Sequence, residues 1–492
     1  MNHEKLKSRL LLGCKIFFIW LLLQFFIQTF ITFQLERSGW FRNAVWMRKE
    51  VLLLLFCGAI GREILSNHWK LKTITSHPIK NFILLFIASG ILFFLLAILV
   101  QKVWLSTFIL TVKYDLLPLF IFGLWVCLAL LFFAERDRTL IHFYNKIIKF
   151  GIRWGLIWRG IVYLMPNGLK FFGYDPHIFE GTIDSRPPAA YYTLIKPYLK
   201  GSLVRNQFLF ERPINFGFRL IAFFPVFALW FLRKKSIKKQ IGYTILFGLL
   251  VLSTRSRAAI VMFAIEVVAI FFILHRKSIK QRPKYLTVFF LCLVIWGGIT
   301  GMFGQKILTR EHSTTGHIAL IQEGRWLAKQ KLVTGRGAGY AGPASHQICY
   351  NALENQLDNE RCQQINTINS KYEITTYGFN PENQFIQILI EYGILGFIAR
   401  GAMLIRILYY SAKLLVINRN HLKTEPQKLI YFTVFGFSIG LLGLLGEGLL
   451  LHSLSDRMIV YPFFLLYGIS IGLFHLAISN NPNTKAISKK KK

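Results

Sequence analysis

The sequence predicts an all-α integral membrane protein of about twelve transmembrane helices, with both termini cytoplasmic and two long extracytoplasmic loops, the second forming a partly helical cap. Three observations predict it. The 492 residues are 54% hydrophobic and 15% aromatic, with a mean hydropathy of +0.44, too apolar for an ordinary soluble globule. The apolar residues gather in runs near the roughly 20 residues that cross a bilayer as a helix, not in the alternating segments of a barrel. The 59 Lys and Arg against 23 Asp and Glu sit mainly in short loops and at both ends, as in RKKSIKK (233–239), HRKSIKQRPK (275–284) and the closing KKKK, the bias that keeps basic loops inside. Spread in this way, the net charge of +36 encodes orientation and excludes a nucleic-acid partner, which would need that charge gathered on a solvated domain.

In chain order the spans are 10–33, 44–61, 81–100, 116–134, 146–165, 214–232, 241–254, 257–275, 285–304, 383–404, 427–447 and 457–478. The first, LLLGCKIFFIWLLLQFFIQTF, is longer than the apolar core of a signal peptide (roughly 7 to 15 residues) and lacks a small-residue cleavage site, so it reads as a retained span. With 233–239 and 275–284 both cytoplasmic, the helices between them form a hairpin that turns at STRSRA on the opposite side. Alternation then places both termini inside, in agreement with the basic MNHEKLKSR start, and leaves residues 166–213 and 305–382 outside. Residues 1–492 read as a single polytopic domain, and external loops of this length are usually functional or disordered. The second mixes TGRGAGYAGPASH with Cys, Trp and possible short helices, which suits an ordered cap.

Cys14, Cys57, Cys127 and Cys292 fall inside spans and read as small buried hydrophobes. Cys349 and Cys362 both lie in the second external loop, where an oxidising compartment permits a bridge worth on the order of 3 kcal/mol in the chain-entropy model. Gly337, Gly339 and Gly342 make a GxGxxG spacing, but no strand pattern precedes it, so a dinucleotide site is rejected in favour of a tight turn or a nest of backbone N–H groups.

Arg255 and Arg257 in STRSRA stand at a turn too short to lift them from the outer headgroup level. They either snorkel to headgroup phosphates or bind the diphosphate of a lipid, which an Arg fork can engage bidentately. Arg205 and Arg212, in VRNQFLFERPINFGF, lie on the same face just before another span, with Glu211 beside Arg212 as a local counter-charge.

These segments resemble, over roughly Leu199 to Phe397, the bacterial superfamily of O-antigen ligases and O-antigen polymerases. VRNQFLFERPINFGF is similar to the family's Arg-led segment before a span, and STRSRAAIV to its Ser-Arg turn. GHIALIQEGRWLAKQKLVTGRGAGYAGPAS is similar to its amphipathic stretch ending in a Gly-rich loop, and NPENQFIQILIEYGILGF to its Pro-His-Asn segment opening the next helix. The resemblance implies a metal-independent, inverting glycosyltransferase of the bacterial plasma membrane, without a cofactor. It would move glycan from an undecaprenyl-diphosphate-linked donor to a hydroxyl of a glycan, lipid or protein acceptor on the extracytoplasmic side. Carried over, it assigns the diphosphate to Arg205 and Arg257, with Arg255, Arg212 and Asn383 as further substrate-binding candidates. Two departures stand out: many members have His where this chain has Glu382, and many have Arg where His317 begins the amphipathic stretch. The loss of that His favours a polymerase over a ligase.

Asn380 reads as a helix N-cap with Pro381 in the first turn, which puts Glu382 at the positive end of a helix. Glu382 then either complements the helix dipole or takes the proton of the acceptor hydroxyl, with His317 as the competing base and His346 a weaker one. Gln384, Gln387 and Glu391 form a polar stripe on the same helix that must pack against protein, and Glu266 calls for a partner for the same reason. Glu447, His452, Asp456 and Arg457 cluster at the last outer turn, where they line the cleft or pair locally. A lipid-glycan flippase is the rival from another class, but neither internal repeats nor broken helices at mid-membrane are evident in the sequence.

Overall fold

The structure, a computed structural model, describes residues 12, 58, 79–132, 213–254, 256–281, 311–345, 348–349, 362–363, 365, 379–418, 425–449, 451–455 and 457–479. Among the described residues the secondary structure is entirely helical: α1 Ile79–Leu95, α2 Leu105–Asp115, α3 Leu117–Phe132, α4 Pro213–Phe231, α5 Ile237–Thr254, α6 Arg257–Gln281, α7 Glu311–Gln330, α8 Gln384–Asn418, α9 Glu425–Gly448 and α10 Arg457–Ser479. Among the described residues five segments are long and apolar enough to cross a membrane: Ile79–Val100, Arg257–His275, Gln384–Val416, Gln427–Gly448 and Ile459–Leu476. Leu105–Asp115 and Leu117–Leu130, bent by 59°, meet the same measure only when taken together, as a broken span or a re-entrant loop. The chain is a multi-pass membrane protein, and the apolar residues exposed on α1, α5 and α6, such as Ile87, Ile91, Leu249, Val261 and Ile265, face where lipid would be.

The expected spans 214–232 and 241–254 are found as helices, α4 and α5, with Pro225 inside α4 and Lys238 and Lys239 in the first turn of α5. The span expected at 116–134 is found as α3, Leu117–Phe132, with α2 meeting it across a sharp bend at Leu116. Spans expected at 10–33, 44–61, 146–165 and 285–304, and the loop 166–213, lie outside the described residues, apart from single positions and the first residue of α4.

Two helix pairs are drawn together by small residues. Gly436 and Gly440 of α9 lie against the backbone of Val226 and Ala222 of α4, and Gly468 and Gly472 of α10 against Phe122, Val126 and Ala129 of α3. Both are G-x-x-x-G spacings, which put glycines on one helix face so that backbones approach closely. The aromatic rings of Phe122, Phe437, Phe463 and Tyr467 fill the space between these pairs, with Phe437 and Tyr467 stacked at 5.6 Å. The Tyr467 hydroxyl bonds to Ser411 and Ser438 at 2.6 and 2.8 Å, satisfying its polar end inside the core.

The two ends of the helix assembly differ. At one, Lys234 and Arg233 from the α4–α5 turn pair with Glu425 at the start of α9, at 2.6 and 3.4 Å. At the other lie the end of α9, the turn into α10 and the opening of α8, where Gly448 packs against Gln384 and Phe385. α6 runs antiparallel to α9, with Met262 against Gly446 and Glu266 against Gly443, so Arg257 lies at this second end too.

Candidate functional site

α8 is not continuous, which removes one of the two sequence grounds against a flippase, the lack of an evident broken helix. Gly393 adopts φ +64° and ψ −164°, interrupting the helix within one turn of its buried polar stripe. The Gly-rich loop after α7 fills the interruption. Ile390 O and Glu391 O, which lose their donors at the break, accept N–H bonds from Arg336 at 2.6 Å and Gly337 at 3.1 Å, and Ile394 N–H donates to Leu332 O at 2.8 Å. A Cβ at Gly335 would collide with the carbonyl of Glu391, and one at Gly393 with the carbonyl of Val333. Both positions have positive φ, so only glycine meets the two demands together. Gln101, where α1 ends in a single π-turn, completes the junction by donating to Thr334 O and Glu391 O at 2.5 and 2.8 Å and accepting from Ala338 N–H at 3.2 Å. The loop that carries the GxGxxG spacing therefore plugs a broken helix, through Leu332, Gly335, Arg336 and Gly337, while Gly339 N–H goes to the Glu391 side chain and Gly342 N–H to Phe379 O.

The polar stripe is buried and bonded. Glu391 Oε1 accepts Gly339 N–H at 2.8 Å, and Oε2 accepts the Gln387 amide at 3.1 Å. Arg400 reaches Asp115 at the α2–α3 bend, with Nη1 to Oδ1 at 2.5 Å and both side chains at most 4% exposed. The two breaks, at Leu116 and Gly393, thus meet around one buried cluster of Asp115, Glu391 and Arg400. Glu266 and Glu447 are fully buried, and among the described residues their carboxyl oxygens have no hydrogen-bond partner. The partner that the sequence led us to expect for Glu266 is therefore not found there.

The same loop continues to the opening of α8. Gly342 N–H donates to Phe379 O at 2.7 Å, and Ser345 Oγ both accepts Phe379 N–H and donates to Phe379 O at 3.1 Å. From here the expected N-terminus needs correction. The cap is Asn383, whose Oδ1 accepts Ile386 N–H at 2.9 Å, and the helix starts at Gln384. Asn380 instead closes a turn outside the helix, its Oδ1 accepting Glu382 N–H at 3.0 Å. The reason is Glu382 itself, which holds φ +52°, a left-handed conformation that no α-helix accommodates. A non-glycine residue kept there costs on the order of 1–3 kcal/mol and persists only where its surroundings impose it.

The turn between α9 and α10 imposes it from the other side. Asn383 Nδ2 donates to Leu449 O at 2.5 Å, Gln384 Oε1 accepts Leu454 N–H at 2.8 Å, and Gln384 Nε2 donates to Ser455 Oγ at 3.0 Å. His452 Nε2 contacts Asn380 Oδ1. Burial lowers the pKa of His452 from 6.5 to about 4, against a raising influence of Glu382, so the ring is neutral near pH 7. The polar residues at the mouth of this apolar helix are thus partners for two other segments.

The Glu382 carboxylate, 20% exposed, lies with Oε2 3.4 Å from His317 Nδ1, on α7. α7 comes this close because Gly324 packs against Pro381 and Ile386. The structure therefore brings Glu382, His317 and Asn383 together. It gives Asn383 a capping role that leaves its Oδ1 and Nδ2 already bonded. Arg257 is half-buried at the first position of α6, whose N-cap Ser256 has Oγ 3.5 Å from Ala259 N–H. Cys349 and Cys362 are joined by a disulfide, with Cα atoms 5.4 Å apart, in the apolar cluster under the α8 opening. Arg205, Arg212, Arg255, His346 and Asp456 lie outside the described residues, as does the side chain of Arg457. Among the described residues no three His, Cys, Asp or Glu side chains are grouped to hold a metal ion.

Sequence reading missed Ser345, Gln101 and Arg336. Their partners are distant in sequence, 233 residues for Gln101 and Thr334, and no local spacing announces them.

A family model described as O-antigen ligase matches residues 242–400. That stretch holds the Ser-Arg turn, α7, the Gly-rich loop and the opening of α8, and the match supports the resemblance to the O-antigen ligase and polymerase superfamily. No curated protein matches the chain.

Proposed function

We propose that the chain is a glycosyltransferase that joins glycan from an undecaprenyl-diphosphate-linked donor to an acceptor hydroxyl at the outer face of the bacterial plasma membrane. The similarity to O-antigen ligases over residues 242–400 supports membrane glycan transfer of the ligase or polymerase type. Within that type we read a surface-polysaccharide polymerase, because Glu382 stands where many ligases carry His.

The observation that carries the reading is Glu382: a partly exposed carboxylate held in a costly backbone conformation, 3.4 Å from His317. Strain maintained at such a position suits a group that must be placed for chemistry. In the reaction the acceptor hydroxyl oxygen attacks C1 of the donor sugar from the face opposite the diphosphate. Its proton passes to Glu382, with His317 orienting the carboxylate. The C1–O bond breaks and its electron pair leaves with the lipid diphosphate, giving an inverted linkage without a metal. Arg257, at the N-terminus of α6 and the same end of the helices as Glu382, stabilises the charge that develops on the diphosphate. Arg205, Arg212 and Arg255 are the further cations of that site. This reading needs the second end of the assembly to face outward, with residues 305–382 as its cap.

Purified protein in liposomes with a lipid-linked oligosaccharide and a panel of acceptors tests it. Native protein lengthens the lipid-linked glycan, while Glu382→Gln and Arg257→Ala lose most product. Transfer only to a lipid core or protein acceptor replaces the polymerase with a ligase. Movement of the lipid-linked glycan across the bilayer with no new glycosidic bond overturns the reading in favour of a flippase.

A further inference from the structure

We propose that His452, in the turn between α9 and α10 and outside the 242–400 match, is a positioning residue for Glu382, acting through Asn380. The inference rests on the transferase reading of Glu382. Its geometry is a relay of two contacts. Asn380 Oδ1 receives the Glu382 N–H at 3.0 Å and also meets His452 Nε2. An amide oxygen only accepts, so Nε2 carries the proton of the ring and Nδ1 carries the lone pair. Among the described residues Nδ1 has no partner and is buried, so the ring's single directed bond is the one to Asn380.

That bond falls where the backbone needs support. The Asn380 side chain must stay rotated toward Glu382 N–H for the turn to keep Glu382 at φ +52°. Left alone, an Asn side chain in a turn samples several rotamers. A second donor on the same oxygen fixes one, and the carboxylate then points at His317. The ring works as a neutral donor in a charged neighbourhood. Glu382 and Arg400 act on it electrostatically, Glu447 lies at the end of α9, and α2, which carries Lys113 and Asp115, packs against the turn. A permanently charged side chain at this position would add to that crowd, whereas neutral imidazole gives a hydrogen bond without a charge.

The rest of the clasp does not depend on His452. Asn383 with Leu449, and Gln384 with Leu454 and Ser455, hold the turn to α8 by their own bonds. A His452 variant should therefore remain folded while Asn380 loses its stop.

The experiment compares His452→Gln, His452→Asn and His452→Leu in the liposome transfer assay, with folded fraction read by size exclusion and thermal unfolding in detergent. The amide nitrogen of Gln falls near the place of Nε2, and that of Asn near the place of Nδ1. Gln is expected to keep most of the turnover. Asn and Leu are expected to lose on the order of 10- to 100-fold in kcat, with the KM for the lipid-linked donor unchanged at equal folded fraction. Asn380→Ala should cost about the same, and combining it with His452→Leu should add little, because both remove one relay. Asn and Leu variants with native turnover, or equal loss in all three, or additive loss in the double variant, overturn the proposal. Loss of the transferase reading is separate: it shows as product formation by Glu382→Gln, whatever the His452 variants do.

Discussion

The backbone N–H of Arg336 donates to the carbonyl of Ile390 at 2.6 Å, in place of the bond that Ile394 would make in an unbroken helix. Ile394 turns its own N–H to Leu332. The exchange ties the loop after α7 to the middle of α8, and by way of Gly342 and Ser345 the same loop holds Phe379 just ahead of Glu382. The break in the helix and the strained turn at its opening are two ends of one scaffold.

Replacing Gly393 by Ala tests that scaffold. The new Cβ would collide with the Val333 carbonyl at a φ that alanine disfavours. The expected result is a loss of several kcal/mol, since strain of about 1–3 kcal/mol is joined by displaced hydrogen bonds. Thermal unfolding in detergent reads the loss, and faster hydrogen exchange at residues 334–342 should accompany it.

The buried pair of Asp115 and Arg400 should behave asymmetrically. Arg400→Leu leaves two buried carboxyl groups, on Asp115 and Glu391, without their cation, and a loss of about 3–5 kcal/mol is expected. Combined with Asp115→Leu the cost should shrink, because the charge left behind is removed too. A double-mutant cycle on unfolding midpoints measures the difference.

His452 predicts how stability depends on pH. Its folded-state pKa is depressed from 6.5 to about 4 by burial, so the unfolded chain takes up a proton first as the medium becomes acid. The contribution of the neutral ring is complete above about 6.5 and is lost progressively toward pH 4. In His452→Gln that component is absent. The expected outcome is a native unfolding temperature that falls more steeply than the variant's between pH 7 and 4; parallel curves would remove the buried neutral histidine from the account.

Much of the fold was legible because bilayers impose length. Runs of apolar residues placed α1, α6, α8, α9 and α10 close to where they lie, and the helical spacing of Gln384, Gln387 and Glu391 announced a stripe that had to be buried. G-x-x-x-G at 436–440 and 468–472 is a packing signal that the sequence reading did not take up. Residues near 380 were harder. The sequence reading placed the cap on Asn380, and that Asn383 serves instead depends on the left-handed Glu382, next to Phe379 and Asn380, which are held by Ser345 and His452 through bonds that no local pattern encodes. The break at Gly393 was hidden for a similar reason. A lone glycine in an apolar helix is ordinarily tolerated, and only the arriving loop shows that this one interrupts it.

The order of synthesis gives the plugged break a last consequence. Residues 332–337 leave the ribosome before 390–394, so the amides that cover the exposed carbonyls of α8 are already made when that helix enters the bilayer. An uncovered carbonyl in hydrocarbon costs several kcal/mol. A circular permutant that emits α8 first would have to insert it bare, and should stall or be degraded during biogenesis even though its finished contacts are the same.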